Sequence, residues 1–439
     1  MHIFEPERRI PVAGSYDVIV CGGGPSGIIA AVAAARNGAK TLLIERYGFV
    51  GGMATNALVT PISEFRKNGK QIIGGMPYEL MVRANRLGGA NIAFESGNYP
   101  IDDEVFKLAA QQMLLESGVT LLYHSWFSDC ITTDGHVSHV IVQNKIGRVA
   151  YEGKVIVDCT GDADVVRAAG YKTVKENTLQ PATLWFQLSG VDTKSLEEQG
   201  LFGDAVNDQL PISDVIRNRL GELHKKGEMP LFGGPWIGRG FNEGSVSINL
   251  LREATDASNP EQFTKTECSL RESLFKVVTI LRENFPEFRN CRILKSGTQT
   301  GVRETYHIVG MYRLTTDDVI HPKPFPDTVA KGAHVIDIHR PDNIDQELVV
   351  LEQEYNIPYR IMVPYDSRNI IVAGRSVCAD RAAFGTVRVM AVCMAMGQAA
   401  GTAAAIAVQK GLAMSKMDTP LLVQTLKEQG AIIDFDNCK

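Results

Sequence analysis

The sequence predicts an α/β protein with a central parallel sheet, assembled discontinuously from both ends of the chain and carrying an α+β cap. Three observations predict it. A strand, helix and second strand occupy residues 17–45; an apolar strand and an alanine-rich helix return to the same pattern after residue 360; and between about 180 and 340 helices and strands mix. At 439 residues the chain exceeds one compact unit at roughly 100 to 200 residues per domain, so two or three domains are expected. The expected division is a base of 1–180 and 341–439 and a cap of 181–340.

Asp17–Cys21, DVIVC, reads as a strand buried on both faces. After Pro25 the apolar residues recur at helical spacing as far as Asn37-Gly38, and Thr41–Glu45, TLLIE, is the next apolar strand. Together they have the length a right-handed parallel crossover requires. A helix is predicted over 101–117, opened by Asp102-Asp103 and closed by Ser117-Gly118. Strands near 119–124, 137–143 and 154–158 follow, separated by turns at Asp134-Gly135 and Ile146-Gly147. Within the middle region an amphipathic helix near 260–284 is stopped by Asn284-Phe285-Pro286. Asn369–Ala373, NIIVA, is a further buried strand, and only 198–212 and 321–334 read as loops of any length.

Charge is nearly balanced, with 45 basic against 50 acidic side chains and a net charge of −5. Such a chain lacks a broad electropositive field, which disfavours nucleic acid and anionic membranes as partners. The first twenty residues carry charges and prolines where a secretory signal needs a continuous apolar stretch. Eight cysteines lie scattered without a CxxC pair, arguing against a disulfide framework, structural zinc or an iron–sulfur site. A reduced, cytoplasmic protein without a metal is expected. Val389–Val408 is free of charge and long enough to span a bilayer, between Arg388 and Lys410. Half of it is Ala or Gly and Gln398 sits near its middle, so a buried helix is predicted.

Gly22, Gly24 and Gly27 satisfy GxGxxG directly after a strand and at the start of a helix. The first glycine permits the turn, the second lets a pyrophosphate approach the backbone, and the third lets helix and strand pack closely. Unpaired N–H groups at the helix start then face the phosphates, and Pro25 suits the first turn because its missing donor has no use there. Glu45 ends the second strand 18 residues after Gly27, where a carboxylate accepts from a ribose diol. These features predict a dinucleotide site. Gly51 and Gly52 read either as a plain turn or as a second close approach of backbone to cofactor.

Five segments resemble the FAD-dependent oxidoreductase family, with its glutathione reductase and fumarate reductase type of fold, and most closely a bacterial branch of it. They are PERRIPVAGSYDVIVCGGGPSGIIAAVAAARNGAKTLLIERYGFVGGMAT, VIVDCTGDADVVRAAG, SGTQTGVRETYHIVGMYRLT, HVIDIH, and IPYRIMVPYDSRNIIVAGRSV with RVMAVCMAMGQAAGTAAA. The resemblance implies a Rossmann-like domain holding an extended FAD. By its pattern Gly22, Gly24, Pro25, Ser26 and Gly27 hold the pyrophosphate, Glu45 takes the adenosine ribose with Arg46 beside it, and Gly51, Gly52 and Met53 line the pyrophosphate and flavin side. Phe127 presents its backbone to the adenine, and Thr160, Gly161 and Asp162 close over the adenosine end. Gly374 and Arg375 approach the ribityl chain, and the 387–409 helix aims its N-terminus at the flavin pyrimidine, where developing negative charge is favoured.

A flavin supplies redox chemistry, so the chain must supply a pocket, a proton-transfer group and exclusion of water. GVRETYH offers Arg303 and Glu304, which fit either a buried ion pair joining cap to base or substrate-side groups. VIDIHR offers His339, read either as a satisfied edge histidine or as the proton-transfer residue, with Asp337 two residues back to orient it. Tyr306-His307 and Asp380-Arg381 depart from the family pattern of two basic residues and a Thr-His pair, so the substrate does not follow from the resemblance.

The expected function is hydride transfer between a small organic substrate and flavin N5, with His339, Arg303 and Asp337 as catalytic candidates. The alternative is a flavin electron-transfer subunit resembling heterodisulfide reductase components, which calls for clustered cysteines this chain lacks. A non-redox FAD-binding or RNA-modifying module fits the acidic balance poorly. No second glycine fingerprint points to an NAD(P)H domain, so the electron partner is open, as is assembly into a homo-oligomer.

Overall fold

The computed structural model describes residues 2–3, 7–201 and 211–434. Its organising element is strand β1 (Val12–Cys21), whose last four residues are completely buried. Its apolar side chains require cover, and helix α1 (Pro25–Arg36) and α2 (Met390–Lys410) both pack against it. Strand β2 (Thr41–Ile44) pairs in parallel with β1, and β3 (Thr120–Leu122) in parallel with β2. On the other side β4 (Gly147–Asp158) pairs in parallel with β1, and β5 (Ile370–Val372) in parallel with the end of β4. Five strands thus finish at one edge, where open α/β sheets bind ligands.

The first half of β4 continues antiparallel to His136–Asn144, which pairs with Trp126–Thr133 to complete a seven-stranded sheet. The strand over 126–133 has no counterpart in the sequence reading. Ser128 and Asp129 interrupt its apolar residues, and its partly exposed edge position conceals the alternation. The predicted helix at 101–117 is Asp103–Glu116, capped by Asp102, whose carboxylate accepts from the Glu104 and Val105 amides.

Two clusters of buried apolar residues hold the chain together. The first gathers residues from 18–166 and from 308–433, and the second gathers residues from 184–291. The second is a four-stranded antiparallel sheet, in the order 232–239, 246–253, 182–189 and 292–296. Helix Pro260–Asn284 packs on it through Leu270, Leu274, Val277, Val278 and Leu281, a single helical face.

One loop expectation is corrected. Within 321–334, Thr328–Gly332 is a buried strand paired antiparallel with Tyr355–Pro358; Lys331 and Gly332 mask its apolar signal, and the Lys331 ammonium lies 3.3 Å from Glu354. Within 198–212, residues 202–210 lie outside the described residues, while Pro211 begins a helix.

The charge-free stretch forms α2, the one described helix long and apolar enough to cross a membrane; 89% of its most apolar window is buried inside the protein. It lies directly on α1. A Cβ at Gly401 would stand 2.0 Å from the Ala30 carbonyl oxygen, and one at Gly397 would stand 2.3 Å from that of Ser26. Two glycines four residues apart therefore let the helices meet backbone to backbone.

Candidate active site

The loop after β1 turns at Gly22, whose φ of +102° suits glycine, and enters α1 with no side-chain cap. Gly27 serves packing: a Cβ there would stand 1.9 Å from the Gly22 carbonyl oxygen. Glu45, at the end of β2, is 6% exposed and accepts from the Gly23 amide at 2.7 Å and the Tyr47 amide at 2.9 Å. Burial raises its carboxyl pKa, and those two amides oppose the rise. The following loop folds back, its Gly51 amide donating to the Gly23 carbonyl at 2.8 Å. A Cβ on Gly52 would lie 2.7 Å from the Gly24 Cα, so the two glycine loops touch.

A cavity of about 810 Å³ opens along this edge of the sheet. Of the cofactor residues expected from sequence, all but Gly27 and Gly51 line it. Gly27 faces its own loop, and a Cβ on Gly51 would point into Thr55, so both act through packing. Arg46 stacks between the rings of Tyr47 and Trp126, 4.9 Å from each centroid, and donates to Gln299 at 2.5 Å. Asp162 accepts from Thr305 at 2.6 Å and from Arg375 at 3.2 Å. Thr160 spends its hydroxyl on Asp158, whose other oxygen accepts from the Val165 and Val166 amides and caps the short helix beyond.

Several lining residues were missed. Asn56, Trp126, Phe263, Gln299 and Arg388 all reach the cavity. Phe263 comes from the second cluster's long helix, a placement only the tertiary fold provides. Arg388 carried a signal: it is the last charge before the charge-free helix, directly after a short helix over Arg381–Val387.

The catalytic candidates converge beside that arginine. Asp337 accepts from His339 Nε2 at 3.0 Å and from Arg388 Nη2 at 3.2 Å, while Gln346 donates to its second oxygen at 2.5 Å. Burial opposes ionisation of Asp337, but His339, Arg388 and Arg303 together hold its pKa far below the usual carboxylate range. His339 is 3% exposed, and burial, followed by the charge of Arg303, pushes its pKa down to about 3. The imidazole is therefore neutral at physiological pH, and its Nδ1 has no hydrogen-bond partner among the described residues.

Arg303 does not pair with Glu304. It donates to the Pro181 carbonyl at 2.7 Å and to the Thr183 hydroxyl, whereas Glu304 accepts from the Gln180 amide at 3.0 Å and faces His307 at 3.5 Å. Arg303, Asp337 and His339 are not in the cavity wall; Arg388 is, and connects them to it.

A family model described as FAD dependent oxidoreductase matches residues 17–429. The chain belongs to the FAD-dependent oxidoreductase family. Among curated relatives, this oxidoreductase is 26% identical over 242 residues to mitochondrial dihydrolipoyl dehydrogenase of Schizosaccharomyces pombe, covering 55% of this chain and 39% of that one. It is 29% identical over 168 residues to thiamine thiazole synthase of Metallosphaera sedula, covering 36% and 58% respectively. The matches thus span less than two thirds of these relatives. A solved geranylgeranyl bacteriochlorophyll reductase-like protein from Thermoplasma acidophilum aligns over 94% of this chain and 83% of its own, at 14% identity and a TM-score of 0.49.

The residues present fit an FAD. Backbone at Gly22, Gly24 and Gly52 faces the cavity, and the uncapped start of α1 leaves N–H groups for a diphosphate. Buried polar atoms without partners, Asn56 Oδ1 and Arg375 Nη1, belong to side chains of the same wall. Glu45, fixed by two amides, lines the same wall.

Proposed function

We propose that this chain transfers a hydride between a small organic substrate and flavin N5, with His339 moving the accompanying proton. The flavin supplies the two-electron chemistry; the chain's residues bind, orient and handle the proton. The observation that carries the reading is the Arg388–Asp337–His339 chain. Asp337 takes the Nε2 proton of His339 as a hydrogen bond, which fixes the tautomer and leaves Nδ1 as the acceptor. The neutral imidazole can take a proton at that atom during substrate oxidation, or return it in the reverse direction. Arg303, expected to bind a polar or anionic substrate group, stands behind the wall and acts instead through its charge on Asp337 and His339. In this reading 181–340 acts as a cap over a base of 1–180 and 341–439, supported by the separate apolar cluster of 184–291 and by Phe263 in the cavity wall.

Anaerobic titration of the FAD-loaded protein with sugars, hydroxy acids and steroids tests it. Bleaching of the flavin by one class is expected. A flavin that no member bleaches, and that the same compounds in oxidised form do not reoxidise after chemical reduction, overturns the proposal.

A further inference from the structure

We propose that the cavity wall around Arg388 is a carboxylate-binding subsite that receives an acid group of the substrate; this rests on the hydride-transfer reading and names its substrate class as organic acids. The argument begins with charge. The guanidinium groups of Arg252, Arg303 and Arg388 all act on Asp337, and Arg252 in turn faces Arg217 and Asp345. Three positive charges on one carboxylate leave an excess in a region where Arg252 is 3% exposed and the Arg388 side chain 11%. Buried charge without a partner is costly, and a bound anion removes the cost.

Hydrogen bonding points the same way. Arg252 Nη2, Arg388 Nε and Gln180 Nε2 are buried donors without partners among the described residues. Arg388 lines the cavity and commits Nη2 to Asp337 and to the Gln180 side-chain oxygen, which leaves its buried Nε without a partner. A guanidinium is a planar fork of donors that matches the two coplanar oxygens of a carboxylate. Gly233 leaves the space that the Arg252 head fills, since a Cβ there would stand 1.3 Å from Nη2. His339 joins the same network behind the wall, through Asp337 and the Gln180 side-chain oxygen that Arg388 also engages.

Malonate, with malonamide as its uncharged analogue and sulfate as a tetrahedral anion, tests the subsite by calorimetry on the FAD-loaded protein. Malonate is expected to bind at least tenfold more tightly than either control, and Arg388→Gln to weaken it at least tenfold while Arg388→Lys recovers part. Equal binding of malonamide or sulfate overturns the proposal, as does unchanged malonate affinity in R388Q. The wild-type comparison decides even where a variant fails to fold. Carboxylates that do not bind, alongside neutral compounds that bleach the flavin, remove the subsite and keep hydride transfer. Selective malonate binding with no bleaching by any compound does the reverse.

Discussion

Arg388 and His339 share one oxygen: both approach Asp337 Oδ2, at 3.2 Å and 3.0 Å. The cavity wall and the buried imidazole are thus coupled through a single carboxylate. Replacing His339 by Gln keeps a polar side chain but removes the base, so flavin reduction should slow by about 10²- to 10⁴-fold with FAD content unchanged. Anaerobic stopped-flow of the reductive half-reaction measures it, and an unaltered rate refutes the role.

Stability should depend on the same histidine. Its folded pKa of about 3 lies below the ordinary value near 6.5, so between those limits the unfolded chain binds the extra proton. The stability it confers is whole above pH 6.5 and is lost as pH falls toward 3. Burial keeps the pKa low, helped by Arg303 and Arg252 and opposed by Asp337, so the window reflects the whole cluster. Urea midpoints from pH 7 to pH 4 should fall less steeply in H339Q than in the wild type.

Glu45→Ala should loosen FAD. The carboxylate holds the Gly23 and Tyr47 amides, and its loss leaves buried donors unpaired as well as removing the ribose acceptor. One such lost bond costs about 1 to 3 kcal/mol, so the FAD dissociation constant should rise about 5- to 150-fold. Fluorescence of released FAD on dilution reads the change directly.

Gly401→Val should destabilise the protein without touching the cavity. Even the first carbon of the side chain collides with backbone at Ala30, where no rotamer change offers relief. Overpacking of this kind costs about 1 to 3 kcal/mol or more. A lower melting temperature and weaker FAD retention are expected together, because α1 carries the glycine loop at its other end. Retained stability in G401V would show that the helices can separate freely.

Periodicity and punctuation made the base of the molecule legible. The GxGxxG turn, the acid at Glu45 and the NIIVA strand each carry a local signature that burial on both faces or a positive φ imposes. The helix over 260–284 was equally plain, because Asn259 and Pro286 punctuate its ends. What escaped lacks such a signature. Trp126–Thr133 sits at a partly exposed edge and mixes polar with apolar residues, and Thr328–Gly332 hides a buried lysine beside a glycine. Site residues such as Gln299 and Phe263 reach the cavity through tertiary packing, which no local pattern encodes. For Arg303 and Glu304 the sequence left open a buried ion pair or substrate-side groups, and the two side chains take different partners.

The Ser26 hydroxyl donates to the Ala373 carbonyl across 347 positions of chain, and the glycines of α2 close on α1 nearby. During synthesis, therefore, the first crossover emerges from the ribosome long before its covering helix exists. Its apolar back is then unprotected while most of the polypeptide is still being made. FAD capture must be a late event, completed only when nearly the whole chain is free, and products cut short before residue 390 should fail to retain it however well their leading segment folds.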